Sequence, residues 1–340
     1  MKLKTGVLAF AGLFCAGACG SETPGAGAST EGLSASLSGV DGAMATGNGL
    51  VWERDKGFLL SGHTVPTVLP VRDGFLLFTS APQRGQIALH RSRDGVSWTS
   101  EGVLDLGGLP EECGRTALDV SVQEAESGYR VIVETWLRSS GLMDPSGREA
   151  PQEESPTVLC ALESTDAERW VPVEQALRWP GLSKSWPSGL EFVGDSSSGL
   201  FYFVDTFPDL DGIRMGRLEG DVLTAVGRRA TLLPEAHVDP MPVALENGGI
   251  RLYHSRSLEG ILAVSDSTDG QNFGESRPLK GLSGQVCHAP PERPSPPDAC
   301  FLDPALIQAV DGRLVMYFSV FESLPGGVER RGIGRAFAVD

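Results

Sequence analysis

Three aspartates stand at the heads of look-alike segments. Asp119 opens DVSVQEAESGYRVIVET (119 to 135), Asp239 opens DPMPVALENGGIRLYHS (239 to 255) and Asp303 opens DPALIQAVDGRLVMYFS (303 to 319). In the last two, the Asp-Pro, the Gly eight residues after the Pro, the Tyr and the Ser fall in register. VPTVLPVRDGFLLFTS (65 to 80) and WPSGLEFVGDSSSGLFYFVDT (186 to 206) fit the same frame, with Val65 and Trp186 at the head. If the five heads converge, three carboxyls, an indole and an aliphatic group share one pocket. Carboxyls bind sugar hydroxyls, and aromatic rings bind the C–H faces of sugars. Carboxyls in two protonation states also perform acid–base chemistry. The competing assignment is structural, because Asp before Pro commonly opens a turn and a Trp in a strand is commonly core.

The elements that must position these groups are short strands. With 43 Gly, 23 Pro and 41% hydrophobic residues, the 340-residue chain reads as all-β with a large core. Each copy runs strand, turn, strand, loop and third strand, and in three copies a polar turn comes next. SRDGVSW (92 to 98), STDAERW (164 to 170) and STDGQNF (267 to 273) share S-x-D-[GA]-x-x-[WF]. Ser and Asp side chains bond back to the backbone of a tight turn, Gly permits positive φ, and the aromatic anchors the next strand in the core. Asp94, Asp166 and Asp269 are therefore structural. Four antiparallel strands in each of five copies give a five-bladed β-propeller. The last copy stops at Asp340 without a fourth strand, and residues 49 to 62 overlay residues 95 to 108 in both Gly and Trp. That N-terminal strand is expected to complete the last blade, so the propeller covers 49 to 340.

The chain opens MKLKTGVLAFAGLFCAGACGSE, two lysines before an apolar run too short to span a bilayer. Ala16-Gly17-Ala18-Cys19 resembles the bacterial lipobox, in which the Cys is diacylated and becomes the mature N-terminus. Residues 1 to 18 are thus expected to be a signal peptide, and 19 to 48, rich in Gly, Ala, Ser and Thr, a flexible tether. The expected location is a bacterial cell envelope, at the outer membrane or cell surface, with the membrane reached through the lipid anchor only. A formal charge of −16, and −18 once Lys2 and Lys4 leave, argues against nucleic acid. Export leaves Cys113, Cys160, Cys287 and Cys300, an even number in an oxidising compartment. Cys287 and Cys300 bracket a Pro-rich loop and form the natural local pair, leaving Cys113 for Cys160; no CxxC or paired His spacing supports zinc.

Taken together, the S-x-D-G-x-x-W turns, the Asp-Pro strand openings and the five units resemble the arabinanases and xylosidases of glycoside hydrolase family 43. More distantly they resemble the sialidases with their Asp boxes. The resemblance implies a sugar site on the axis, away from the Asp boxes. In family 43 the base is an Asp opening the first inner strand, a second Asp opens the second, and the acid is a Glu from the third blade. Here those positions hold Val65, Asp119 and Trp186, so only Asp119 matches, and the resemblance implies an altered carboxylate set. Asp119, Asp239 and Asp303 are the catalytic candidates. Glu191, five residues beyond Trp186, is a fourth, and His63, Trp186 and Arg256 are the other pocket candidates. Asp205, Asp209 and Asp211 could gather around calcium, but their loop lacks the distal Glu of an EF-hand, and no cofactor is expected. The expected partner is an oligosaccharide or polysaccharide, bound by a monomer that either recognises or hydrolyses it. The alternative is a non-catalytic envelope scaffold that binds protein through loops such as 137 to 157. Replacing Cys19 with Ser should abolish lipid labelling and move the protein from membrane to soluble fractions; unchanged retention would exclude the anchor.

Overall fold

The computed structural model describes residues 51–81, 85–113, 116–125, 127–136, 157–178, 187–193, 199–205, 212–226, 233, 237–245, 248–256, 259–282, 299–324 and 328–339. The expected leader and tether, Trp186, Cys287, the 137 to 157 loop except Thr157, and the Asp209 and Asp211 loop lie outside them, as does the side chain of Asp205.

All regular structure among these residues is β, in five antiparallel sheets. The N-terminal strands are β1 (Val51–Arg54) and β2 (Leu60–Ser61). Blade I holds β3 (Thr64–Val71), β4 (Gly74–Ser80), β5 (Ile87–Ser92) and β6 (Thr99–Val103). Blade II holds β7 (Thr116–Ala125), β8 (Gly128–Trp136), β9 (Thr157–Ser164) and β10 (Val171–Pro172). Blade III holds β11 (Pro187–Phe192), β12 (Leu200–Asp205), β13 (Ile213–Glu219) and β14 (Val222–Ala225). Blade IV holds β15 (His237–Ala244), β16 (Ile250–Arg256), β17 (Ile261–Ser267) and β18 (Arg277–Pro278). Blade V holds β19 (Ala299–Gln308), β20 (Leu314–Leu324) and β21 (Val328–Val339), and β1 is its fourth strand.

The chain closes its own ring. Val51 to Arg54 pair with Val339 to Ala336, and Leu60 and Ser61 pair with Ile333 and Gly332. Trp52 is buried between blades IV and V, and its backbone N–H donates to Lys280 O at 2.8 Å, so this segment ties the last blade to the one before it. Closure leaves blade V without an open edge on β21.

Strands buried on both faces read as continuous apolar runs, and Phe75-Leu76-Leu77-Phe78 of β4 is fully core. Apolar clusters fill all five seams between neighbouring blades. The outermost strands are short or exposed, as in β6. A disulfide joins Cys113 to Cys160 across 47 residues, worth roughly 4 kcal/mol on the loop-entropy account. Cys300 is also disulfide-bonded.

The polar turns staple one blade to the next. Asp94 Oδ1 accepts hydrogen bonds from the Ser92 hydroxyl and from the N–H groups of Val96 and Ser97, at 2.7–2.8 Å. Asp166 and Asp269 repeat the pattern. Gly95, Ala167 and Gly270 supply the left-handed residue, with φ of 74°, 60° and 71°. The aromatic then packs edge-on against the preceding blade: Trp98 on Tyr317, Trp170 on Phe78 and Phe273 on Tyr202. Tyr317 and Tyr202 donate their hydroxyls to the turn carbonyls of Gly95 and Gly270.

Deleting residues 49 to 62 should cost on the order of 5 kcal/mol and lower Tm by about 10 °C or more, because it exposes the β21 edge and removes Trp52 from a core seam. Deleting residues 22 to 46 should change Tm little. Equal melts of the two truncations would contradict the closure.

Candidate active site on the propeller axis

Every inner strand begins with a bulge. The register with the second strand slips between Thr64 and Thr67, Ala117 and Asp119, Ser188 and Glu191, Val238 and Met241, and Leu302 and Ala305. At four of these corners stands a left-handed residue: Val65 (φ 51°), Gly189 (58°), Asp239 (53°) and Asp303 (54°). For a β-branched Val or an Asp this conformation costs roughly 1–3 kcal/mol, so the surrounding structure must impose it. Bulges bend the strand and re-aim a side chain, here at the inner end of each blade.

Side chains of the preceding blade hold three of the corners. Ser319 Oγ accepts from Val65 N–H (2.7 Å) and Ser255 Oγ accepts from Asp303 N–H (3.0 Å). Glu134 accepts from Gly189 N–H and from the Ser188 hydroxyl (2.9 Å). A second set of bonds runs outward: the Thr67 hydroxyl donates to Val120 O (2.8 Å) and the Ser121 hydroxyl to Leu190 O.

These corners bring Asp119, Asp239 and Asp303 together, with Glu191 and Glu134. Asp303 N–H approaches Asp239 Oδ2 at 3.3 Å, and the two carboxyls are hydrogen-bonded to each other. Such a contact requires a proton, since an ionised carboxylate only accepts. The Ser255 hydroxyl also bonds Asp239 and the Ser319 hydroxyl bonds Asp303. Asp119, Glu191, Asp239 and Asp303 are each half-buried, while the crevice between Asp119, Ser121, Glu134, Gly189 and Leu190 is too tight to admit water.

Desolvation dominates the electrostatics. Burial first, then the charge of Asp239, pushes Asp119 up from 3.8 to about 7, against the pull of the Val120 N–H. Glu134 rises to about 8 through burial and then the Asp119 charge, although Ser188 and Gly189 donate to it. Glu191 is raised well above its ordinary value by burial and by Asp119. Asp239 and Asp303 are both raised, burial leading in each case, with the Asp239 charge next for Asp303. Burial thus holds all five carboxyls above their ordinary range, with Asp119 and Glu134 near neutrality, where groups suited to general acid–base chemistry titrate.

The remaining candidates fall elsewhere. His63 Nδ1 is 2.8 Å from the Thr79 hydroxyl, its ring packs on His90, and burial lowers its pKa. Arg256 is engaged by Glu259 in a salt bridge at the end of its own strand. Trp186 lies outside the described residues, and by register the blade III residue equivalent to Val65, Asp239 and Asp303 is Gly189. Counting from Trp-Pro as if it were Asp-Pro displaces the frame. Glu191 is thus two residues from the corner, close enough for the Asp119 charge to act on it. Glu134 had no signal in the linear frame, because its place depends on pairing with Asp119 across the sheet. No group of three or more His, Cys, Asp or Glu with metal-binding geometry occurs among the described residues.

No protein-family model and no curated protein matches the chain. Solved structures do. A family-117 glycoside hydrolase, Zg3597 of Zobellia galactanivorans, matches with a TM-score of 0.58 at 11% identity, over 86% of this chain and 92% of that one. The fold is that of glycoside-hydrolase propellers. A thermostable family-43 glycoside hydrolase matches with a TM-score of 0.55 at 12% identity, over 83% of this chain and 92% of that one. The family-43 protein BlXynB of Bacillus licheniformis matches with 0.51 at 14% identity, over 83% of this chain; the chain spans 54% of BlXynB's length. At these identities the likeness concerns the glycoside-hydrolase-type propeller alone.

The two classes of acid make opposite predictions for stability. Asp119 and Glu134 have raised pKa values in the fold, so their contribution is fully present below about pH 4 and is lost as pH rises through about 7 and 8. The turn acids are depressed by the N–H groups they accept from, Asp166 to about 2, so their contribution is present above 3.8 and lost on acidification. Melts from pH 3 to 9 should show Tm falling between about pH 5 and 8. Asp119→Asn should flatten that decline, and Asp94→Asn should lower Tm at pH 7 and by somewhat less at pH 3. A Tm that climbs steadily to pH 8 would overturn the protonation pattern.

Proposed function

We propose that the propeller binds a glycan in its axial pocket and acts on it as a glycoside hydrolase with a rearranged carboxylate set. The observation carrying this reading is the convergence of Asp119, Glu191, Asp239 and Asp303 on one axis, each with its pKa raised by burial. Hydrolysis of a glycosidic bond needs a protonated acid on one side and an ionised base or nucleophile on the other, about 5–10 Å apart. The hydrogen-bonded Asp239 and Asp303 are too close to flank a bond as opposing groups, so they serve as one side and Asp119 with Glu191 as the other. Val65 removes the first-blade carboxyl of family 43, and the blade IV and V corners supply carboxyls in its place. The protein works at the bacterial cell envelope, held through Cys19 and the 19 to 48 tether.

A glycan array together with a screen of glycosidase substrates should yield a binder or substrate. On that hit, Asp119→Asn should abolish turnover while Tm at pH 5 stays within a few degrees. Asp94→Asn, in a turn outside the site, should leave binding unchanged. No hit across plant, bacterial and host glycans would transfer the function to protein binding by a non-catalytic scaffold.

A further inference from the structure

One corner of the axial site is built differently from its equivalents. Immediately before the bulge, the second strand carries Ser80 in blade I, Ser255 in blade IV and Ser319 in blade V, and in blade II it carries Thr135, the partner of Ala117. In blades IV and V the Ser needs to reach a single N–H of the next blade. Glu134 is longer and binds both members of the blade III corner, the Ser188 hydroxyl and the Gly189 N–H, while pairing in register with Asp119 on its own sheet. Glu134 is only 4% exposed.

Gly189 makes this arrangement close-fitting. A Cβ there would lie 3.8 Å from Asp119 Oδ2, and the backbone is left-handed. We propose that Glu134 is a positioning residue for the axial site, clamping Ser188 and Gly189 of blade III over the carboxyl of Asp119. Removing the clamp lets the blade III corner retreat and opens the half-buried Asp119 further to water. The other titratable groups acting on Asp119 among the described residues are Glu191, Asp239 and Asp303, from β11, β15 and β19. None of them bonds Ser188 or Gly189 in place of Glu134. The proposal rests on the axial site being the working site, but its test needs no glycan, so either can fail without the other.

The readout is the titration of Asp119 in the full chain, monitored by 13C NMR of its carboxyl carbon and assigned by its loss in Asp119→Asn. The wild-type midpoint is expected near 7. Glu134→Ser, which leaves a hydroxyl too short to hold both Ser188 and Gly189, should lower that midpoint by roughly a pH unit or more, a tenfold gain in acidity. Glu134→Gln keeps an acceptor oxygen for Ser188 and Gly189 and should hold the midpoint near the wild-type value. Ser188→Ala, which removes one of the two bonds and leaves Glu134 in place, should shift it in the same direction as Glu134→Ser by less. If Glu134→Ser does not fold, Ser188→Ala decides. An unmoved midpoint in the folded variants, or a Gln variant shifted as far as the Ser variant, would overturn the clamp.

Discussion

A left-handed corner at the start of an inner strand is a poor conformation for Val or Asp, and the propeller adopts it three times in non-glycine residues on its axis. Such a corner persists only where neighbouring structure pins it. The pin is a hydrogen bond from the corner N–H to a side chain of the preceding blade, Ser319 to Val65 and Ser255 to Asp303, with Glu134 doing the same for Gly189. The site is therefore a property of the seams. A residue on the axis is aimed by the blade behind it, and a change in the way two blades meet changes the pocket.

Having aimed the carboxyls inward, the fold must accommodate them without enough counter-charge. Arg251 and Arg277 are engaged by Asp266, Arg335 by Asp55, and Arg256 by Glu259, all away from the carboxyl cluster. With no cation among the described residues acting on them, burial drives protons onto the acids, which limits repulsion and supplies the groups that acid–base chemistry requires. The turn aspartates show how far environment outweighs residue type. Asp94 and Asp269 sit in solvent with backbone N–H groups pointed at them and are acidified, whereas Asp239 and Asp303, at strand corners, are made basic.

The architecture was legible in the linear sequence because its signals are local. Ser-x-Asp-Gly turns, Gly and Pro punctuation and the matching of residues 49 to 62 with 95 to 108 each need only a short window. Asp119, Asp239 and Asp303 were legible for the same reason, since each heads a repeat. Glu134 and the position of Glu191 were not, because they depend on which residue a bulge leaves unpaired and on antiparallel pairing between strands. The Trp-Pro of blade III imitates the Asp-Pro of blades IV and V, and only the register reveals that Gly189 holds the corner. The turn aromatics were expected to anchor the following strand; they also reach back to grip the preceding blade, a contact with no trace in sequence spacing.

Stability and chemistry are assigned to different chemical logics within each blade. On the turn side, hydroxyls, N–H groups and aromatic edges satisfy one another, so Tyr317 both accepts from Trp98 and donates to Gly95. At the corner side, acids outnumber their donors and protons make up the difference. A shared proton is mobile in a way that a satisfied turn is not, which makes the corners the natural place for reactivity. All five inner strands begin with a bulge, and four of the corners share one backbone conformation, so a carboxyl can be aimed at the axis from more than one blade.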